Sequence, residues 1–142
     1  MMSPHIQTLI YQFESVTLDS VDQLVALYAP QAFFKDPFNE VTGKEHIRHI
    51  FTNMFSQVNH PRFRILGVLE ENTRACLTWE FLFEFKSSPS KAQTIQGCTW
   101  FTFNDSGLIL SHRDYWDAAE ELYEKLPYLG RLMKWLKKKA QH

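Results

Sequence analysis

Three side chains of this sequence have the types and settings needed to move a proton inside an apolar environment. They are Asp36, in the stretch FFKDPFNEVTG (33–43), and His112 with Asp114, in HRDYWD (112–117). Asp36 follows Phe-Phe-Lys and precedes Pro37, at a point where two apolar segments meet and the chain turns. Two readings of it stand side by side. A carboxylate before proline opens turns by accepting bonds from nearby backbone amides, whereas a carboxylate aimed into an apolar cavity is placed for proton transfer. His112 and Asp114 are two residues apart, so on a strand they point to the same side. A histidine and a carboxylate can pass a proton between two atoms of a bound ring or enol, as base and acid, with no metal or organic cofactor. Asp117, by contrast, pairs with Glu120 in the form of a helix N-cap and reads as structural.

The elements that must position these residues follow from apolar periodicity. Ile6, Leu9, Ile10 and Phe13 fall at i, i+3, i+4 and i+7, the stripe of an amphipathic helix. SVDQ (20–23) has capping-box form and predicts a second helix through Val21, Leu24, Val25 and Tyr28, stopped at Pro30. TGKE (42–45) predicts a third, with Ile47, Ile50, Phe51, Met54 and Phe55 inward and His46 and His49 in solvent. From Arg62 the pattern alternates, giving four strands near 62–70, 73–86, 92–103 and 108–116, joined as hairpins. The NDSG turn pairs Phe103 with Leu108, which sets Phe101 opposite Leu110, Thr99 opposite His112 and Gly97 opposite Asp114. If the preceding hairpin pairs residues of like parity, Leu77, Trp79, Phe81 and Phe83 share that face. The helix-covered face then carries His112 and Asp114 among Trp79, Phe81, Phe101 and Trp116, flat walls for an apolar, polycyclic or aromatic ligand, with the Thr99 hydroxyl able to orient His112. The opposite face carries Trp100 and Tyr115 between Glu80 and Arg113, too aromatic for plain solvent surface, and is expected to pack in a homodimer.

Composition limits the alternatives. The chain has 142 residues with 12 Phe and 4 Trp, enough for one domain with a sizeable core and a lined cavity. A net charge of -1 argues against broad nucleic-acid binding. There is no apolar run of membrane-spanning length and no basic-then-apolar leader, so the expectation is a soluble cytoplasmic protein. Cys76 and Cys98 form neither a disulfide framework nor a metal pattern and read as small buried residues. The segment YLGRLMKWLKKKAQH (128–142) predicts a basic amphipathic helix over 128–139, expected to cover the open edge of its own domain rather than meet a membrane.

Helices followed by a meander of long strands, with an acid-proline step between them, resemble the nuclear transport factor 2-like superfamily, and within it the SnoaL-like and ketosteroid isomerase-like proteins. The resemblance rests on LYAPQAFFKDPFNEVTGKEHI (27–47), FTFNDSG (101–107) and HRDYWD (112–117), and spans most of residues 5–120. It implies a cone-shaped α+β fold with N-terminal helices on a curved, mainly antiparallel sheet, a deep apolar pocket, and commonly a dimer. The fold hosts isomerases, cyclases, dehydratases, epoxide hydrolases and non-catalytic binders. By this resemblance Asp36 matches the carboxylate base of ketosteroid isomerases and Asp114 the last-strand carboxylate of SnoaL-like cyclases. Gln12 stands at the isomerase's oxyanion tyrosine position, with Tyr11 next to it, and Thr99 stands at that of its protonated acid. Epoxide hydrolysis lacks its Arg and Asp pair on the neighbouring strand. The implied activity is cofactor-independent acid-base isomerisation, cyclisation or elimination on an apolar carbonyl compound, and the alternative is a ligand-binding or assembly domain.

Overall fold

A computed structural model describes residues 2–121 and 127–141. Helix α1 (Pro4–Glu14) starts with a proline in its first turn and buries Ile6, Leu9 and Phe13, the stripe expected from sequence. A short 3₁₀ turn (Leu18–Ser20) leads into α2 (Val21–Val25), which buries Val21, Leu24 and Val25. Helix α3 (Lys44–Gln57) buries Ile47 and Phe51. These stripes close over one face of a six-stranded sheet ordered β2-β1-β6-β5-β4-β3. Its strands are β1 (Tyr28–Lys35), β2 (Glu40–Thr42), β3 (Val58–Glu71), β4 (Arg74–Phe85), β5 (Ala92–Phe103) and β6 (Ile109–Tyr115). All pairings are antiparallel except β1 with β6. The α+β architecture and the four-strand meander agree with the sequence reading.

Three local expectations need correction. Tyr28 does not end a second helix: α2 stops at Val25 and Tyr28 opens β1. An inward residue at i+7 of a short helix and the first inward residue of the next strand give the same stripe, so periodicity alone could not separate them. Pro30 is tolerated in β1 because it sits exposed in the irregular stretch of the β1–β6 ladder, between Tyr28 and Phe33. Second, the capping box at 42–45 is not formed: Gly43 is the N-cap of α3, at φ 110°, a conformation that favours glycine.

The third correction concerns register. The turn after β5 is one residue longer than expected, with Asn104 Oδ1 accepting from the amides of Ser106 and Leu108, and Phe103 pairs with Ile109. A bulge then places Leu110 in solvent, 45% exposed, while Ile109 is buried. The two slips have the same sign and sum to an even shift. His112 and Asp114 therefore stay on the inner face, but Phe101 opposes His112 and Thr99 opposes Asp114. The like-parity β4–β5 hairpin is as expected, with Trp79 opposite Gly97 and Phe81 opposite Ile95.

Helix α4 (Ala118–Glu121) begins where Asp117 Oδ1 accepts from the amides of Ala119 and Glu120, the cap read from sequence. Helix α5 (Pro127–Ala140) covers the expected basic segment. His46 and His49 are exposed. Cys76 and Cys98 are half-buried rather than buried, and they are neighbours on the outer sheet face. Partial burial, then the adjacent Cys98 thiol, push the Cys76 thiol up.

Candidate functional site

Four adjacent strands contribute one connected line of polar side chains to the inner face. From β4, Trp79 Nε1 donates to Thr99 Oγ1 on β5 at 2.8 Å. Thr99 donates to Asp114 Oδ1 on β6 at 2.5 Å. His112 Nε2 lies 2.7 Å from the same Oδ1, and its Nδ1 lies 2.7 Å from the phenol oxygen of Tyr28 on β1. An ionised carboxylate can only accept, so the network assigns the imidazole proton to Nε2, and Nδ1 accepts from Tyr28. Burial, and secondarily the charge of Asp114, raise the Tyr28 phenol well above its ordinary value, which keeps it a donor.

This line is held by packing rather than by solvent. His112 is 3% exposed, with Phe34 and Phe101 rings 4.4 and 4.8 Å from its own. Trp79 reaches Thr99 by lying across Gly97. A Cβ there would come within 2.7 Å of the indole and 2.9 Å of the Tyr115 carbonyl. Among the described residues no buried side-chain polar atom lacks a partner. Asp114 receives both of its bonds on Oδ1, and no bond to Oδ2 is present among the described residues.

Asp114 lies at the junction of two spaces. Behind it is a void of about 30 Å³, lined by His112, Thr99, Phe101 and Leu77 and large enough for a single water. In front is a cavity of about 270 Å³, walled by Trp79, Phe81, Phe83, Phe51, Met54 and Trp116 among others. Its size is just below the usual range of small-molecule sites, about 300–1,000 Å³. Among the described residues no arginine or lysine lines it. At its rim Phe38 meets Trp116 edge to face, 5.6 Å between ring centroids.

Asp36 also lines this cavity, but its bonds are local. Oδ1 accepts from the amides of Phe38 and Asn39 at 2.8 and 2.6 Å, and the Asn39 side chain bridges both oxygens. No bond joins it to His112 or Asp114. Of the expected walls, Trp79, Phe81 and Trp116 face the cavity, whereas Thr99 and Phe101 face the void. Tyr28 is the polar residue that sequence reasoning missed, because it was assigned to a helix. Tyr11 is 66% exposed on α1 and does not take the oxyanion position. Among the described residues no cluster of His, Cys, Asp and Glu has metal-binding geometry.

Helices laid over an open, curved sheet that encloses an apolar cavity with a few convergent polar groups define a nuclear transport factor 2-like protein. The profile of the SnoaL-like domain matches residues 11–112, and the chain belongs to that family. The match ends two residues before Asp114. Comparison with curated proteins gives no match. Among solved structures, the chain is similar to a hypothetical protein with a ketosteroid isomerase-like fold from Catenulispora acidiphila, determined in complex with trimethylamine. The TM-score is 0.73 at 14% identity, covering 86% of this chain and 92% of that one. A nuclear transport factor 2-like protein of unknown function from Burkholderia pseudomallei gives 0.73 at 16% identity, covering 84% and 95%. An epoxide hydrolase of Mycobacterium tuberculosis, described as similar to limonene epoxide hydrolase, gives 0.66 at 14% identity, covering 82% and 83%. At these identities the likeness is one of fold.

Proposed function

We propose that the protein binds an apolar carbonyl compound in the 270 Å³ cavity and moves a proton on it, as an isomerase, cyclase or lyase that needs no cofactor. The observation that carries this reading is the position of Asp114. Its carboxylate is held on one oxygen by Thr99 and His112 while it lines a mainly apolar and aromatic space whose other polar lining residues are Asp36, Asn39 and Gln57 among the described residues. Asp114 is the base, and His112 is the group behind it that stabilises the carboxylate and, backed by Tyr28, adjusts to its change of charge. Asp36 is a second carboxylate on the same wall, whose turn bonds favour a shaping role over a chemical one.

The test requires no knowledge of the net reaction. A panel of steroid and aromatic ketones is incubated with protein in D₂O, and exchange of protons next to the carbonyl is followed by NMR. Accelerated exchange with wild type and none with Asp114→Asn supports the reading. A ligand that binds both proteins equally without exchange supports the alternative, a non-catalytic binding domain. That alternative is favoured by the buried members of the inner polar line, Tyr28, His112 and Thr99, which already bond to one another or to Asp114 and Trp79.

The outer sheet face supports a homodimer. Trp100 and Tyr115 are 42% and 51% exposed, with the Arg74 and Arg113 guanidinium groups over their rings at 5.7 and 4.9 Å. Leu69, in the same cross-strand row as Cys76 and Trp100, is 77% exposed. Sedimentation equilibrium should report a dimer for wild type and a monomer for Trp100→Glu/Tyr115→Glu. A monomeric wild type removes this part of the proposal. No helix among the described residues is long and apolar enough to cross a membrane.

A further inference from the structure

Helix α5 concentrates positive charge on a chain that is otherwise acidic. Its fourteen residues contain Arg131, Lys134, Lys137, Lys138 and Lys139 and no aspartate or glutamate. The net charge of the whole chain is -1, so with five cations in α5 the rest carries -6. The charge is also sorted by face. Arg131, Lys134 and Lys138 stand at i, i+3 and i+7 on one side. Leu132, Trp135 and Leu136, at i, i+3 and i+4, form an apolar side and are 50%, 54% and 47% exposed. Of the stripe Leu129, Leu132, Met133 and Leu136, expected to cover the open edge of its own domain, Leu132 and Leu136 are exposed, and the side chains of Leu129 and Met133 lie outside the described residues. Lys139, on the apolar side, is in the last turn with its ammonium 5.3 Å from the Trp135 ring centroid, and its long stem allows it to snorkel.

We propose that α5 is a reversible anchor to an anionic phospholipid surface. Such a surface supplies both counterparts at once: headgroup charge for the basic side, and the acyl boundary for Leu132 and Leu136. An indole such as that of Trp135 is favoured at the level between them. A second copy of α5 does not fit, because pairing would bring five cations against five. Nucleic acid would match the charge and leave the apolar side in water. The -6 carried by the rest of the molecule is repelled by the same surface, which confines contact to the helix and makes it sensitive to salt. α5 begins eleven residues after Trp116, so the chain joins the anchor to the cavity-bearing domain.

The experiment uses the full chain without ligand, so it is independent of the cavity reading. Vesicles of phosphatidylcholine, and vesicles with phosphatidylglycerol added, are titrated at low and at 0.5 M salt, with co-sedimentation and quenching by brominated lipid as readouts. The anchor is supported by binding only to the anionic vesicles, lost in high salt, with quenching that Trp135→Phe largely removes while binding remains. Lys134→Glu/Lys138→Glu should weaken binding at least roughly tenfold, and Leu132→Asp/Leu136→Asp should abolish quenching. Circular dichroism should be unchanged in both, because all four positions are exposed. Equal binding to neutral vesicles, no binding to either, or loss of sedimentation without any effect of the leucine pair overturns the proposal. So does a lipid-independent, concentration-dependent shift of Trp135 fluorescence, which would assign α5 to a protein surface.

Discussion

Two carboxylates line the same cavity and are held in opposite ways. Asp36 is tied to backbone amides two and three residues ahead of it, and all of its bonds fall within three residues of chain. Asp114 is tied to side chains from its own strand and from β5, which are steadied in turn by Trp79 on β4 and Tyr28 on β1, 84 residues before His112. Local bonds make a turn. A line of side chains drawn from four strands exists only in the folded state, and leaves one carboxylate oxygen with no bond among the described residues, beside a mainly aromatic cavity.

The contrast is open to direct attack. The largest expected effect is on Asp114→Asn, which should lower exchange or turnover by roughly 10² or more, the scale of a lost general base. Ligand binding should be retained, as isothermal titration can check. Activity within a few-fold of wild type would transfer the chemistry elsewhere. Next is Gly97→Ala, which pushes the Trp79 indole off Thr99 and meets the Tyr115 carbonyl. A loss of about 2–3 kcal/mol in urea unfolding is expected from such overpacking. An unchanged midpoint would mean that the indole is not seated across Gly97.

Tyr28→Phe removes the donor to a buried imidazole nitrogen and should cost about 1–2 kcal/mol at neutral pH. It also carries a pH signature. The folded phenol holds its proton more tightly than the unfolded one, so the contribution of Tyr28 to stability is fully present below about pH 10 and is lost as pH rises from there through the folded value. Thermal melts between pH 8 and 11 should show that alkaline loss in wild type and a smaller one in Tyr28→Phe. The smallest effect belongs to Asp36→Asn. The amide oxygen still accepts from Phe38 and Asn39, so less than about 1 kcal/mol of stability is at stake, and activity should change only a few-fold. If Asp36→Asn instead abolished exchange as Asp114→Asn does, the two carboxylates would act as a pair and the contrast would be broken.

The sequence alone determined what depends on period and on near neighbours. Alternation put His112, Asp114, Trp79, Phe81 and Phe101 on one side of the sheet, and that survived a two-residue error in pairing because parity is unchanged by an even shift. The Asp117 cap and the stripe of α1 were equally legible, since each is written within one or two turns of chain. Tertiary structure decided the rest. Whether Tyr28 ended a helix or opened a strand turned on the β1–β6 pairing, which no local pattern encodes. The same pairing brings the phenol to His112, while the longer turn and the bulge at Leu110 together set Thr99 rather than Gly97 against Asp114. Which of the two acids keeps an oxygen with no bond among the described residues depends on where its other bonds go. For Asp114 those bonds come from residues that only the folded sheet brings together.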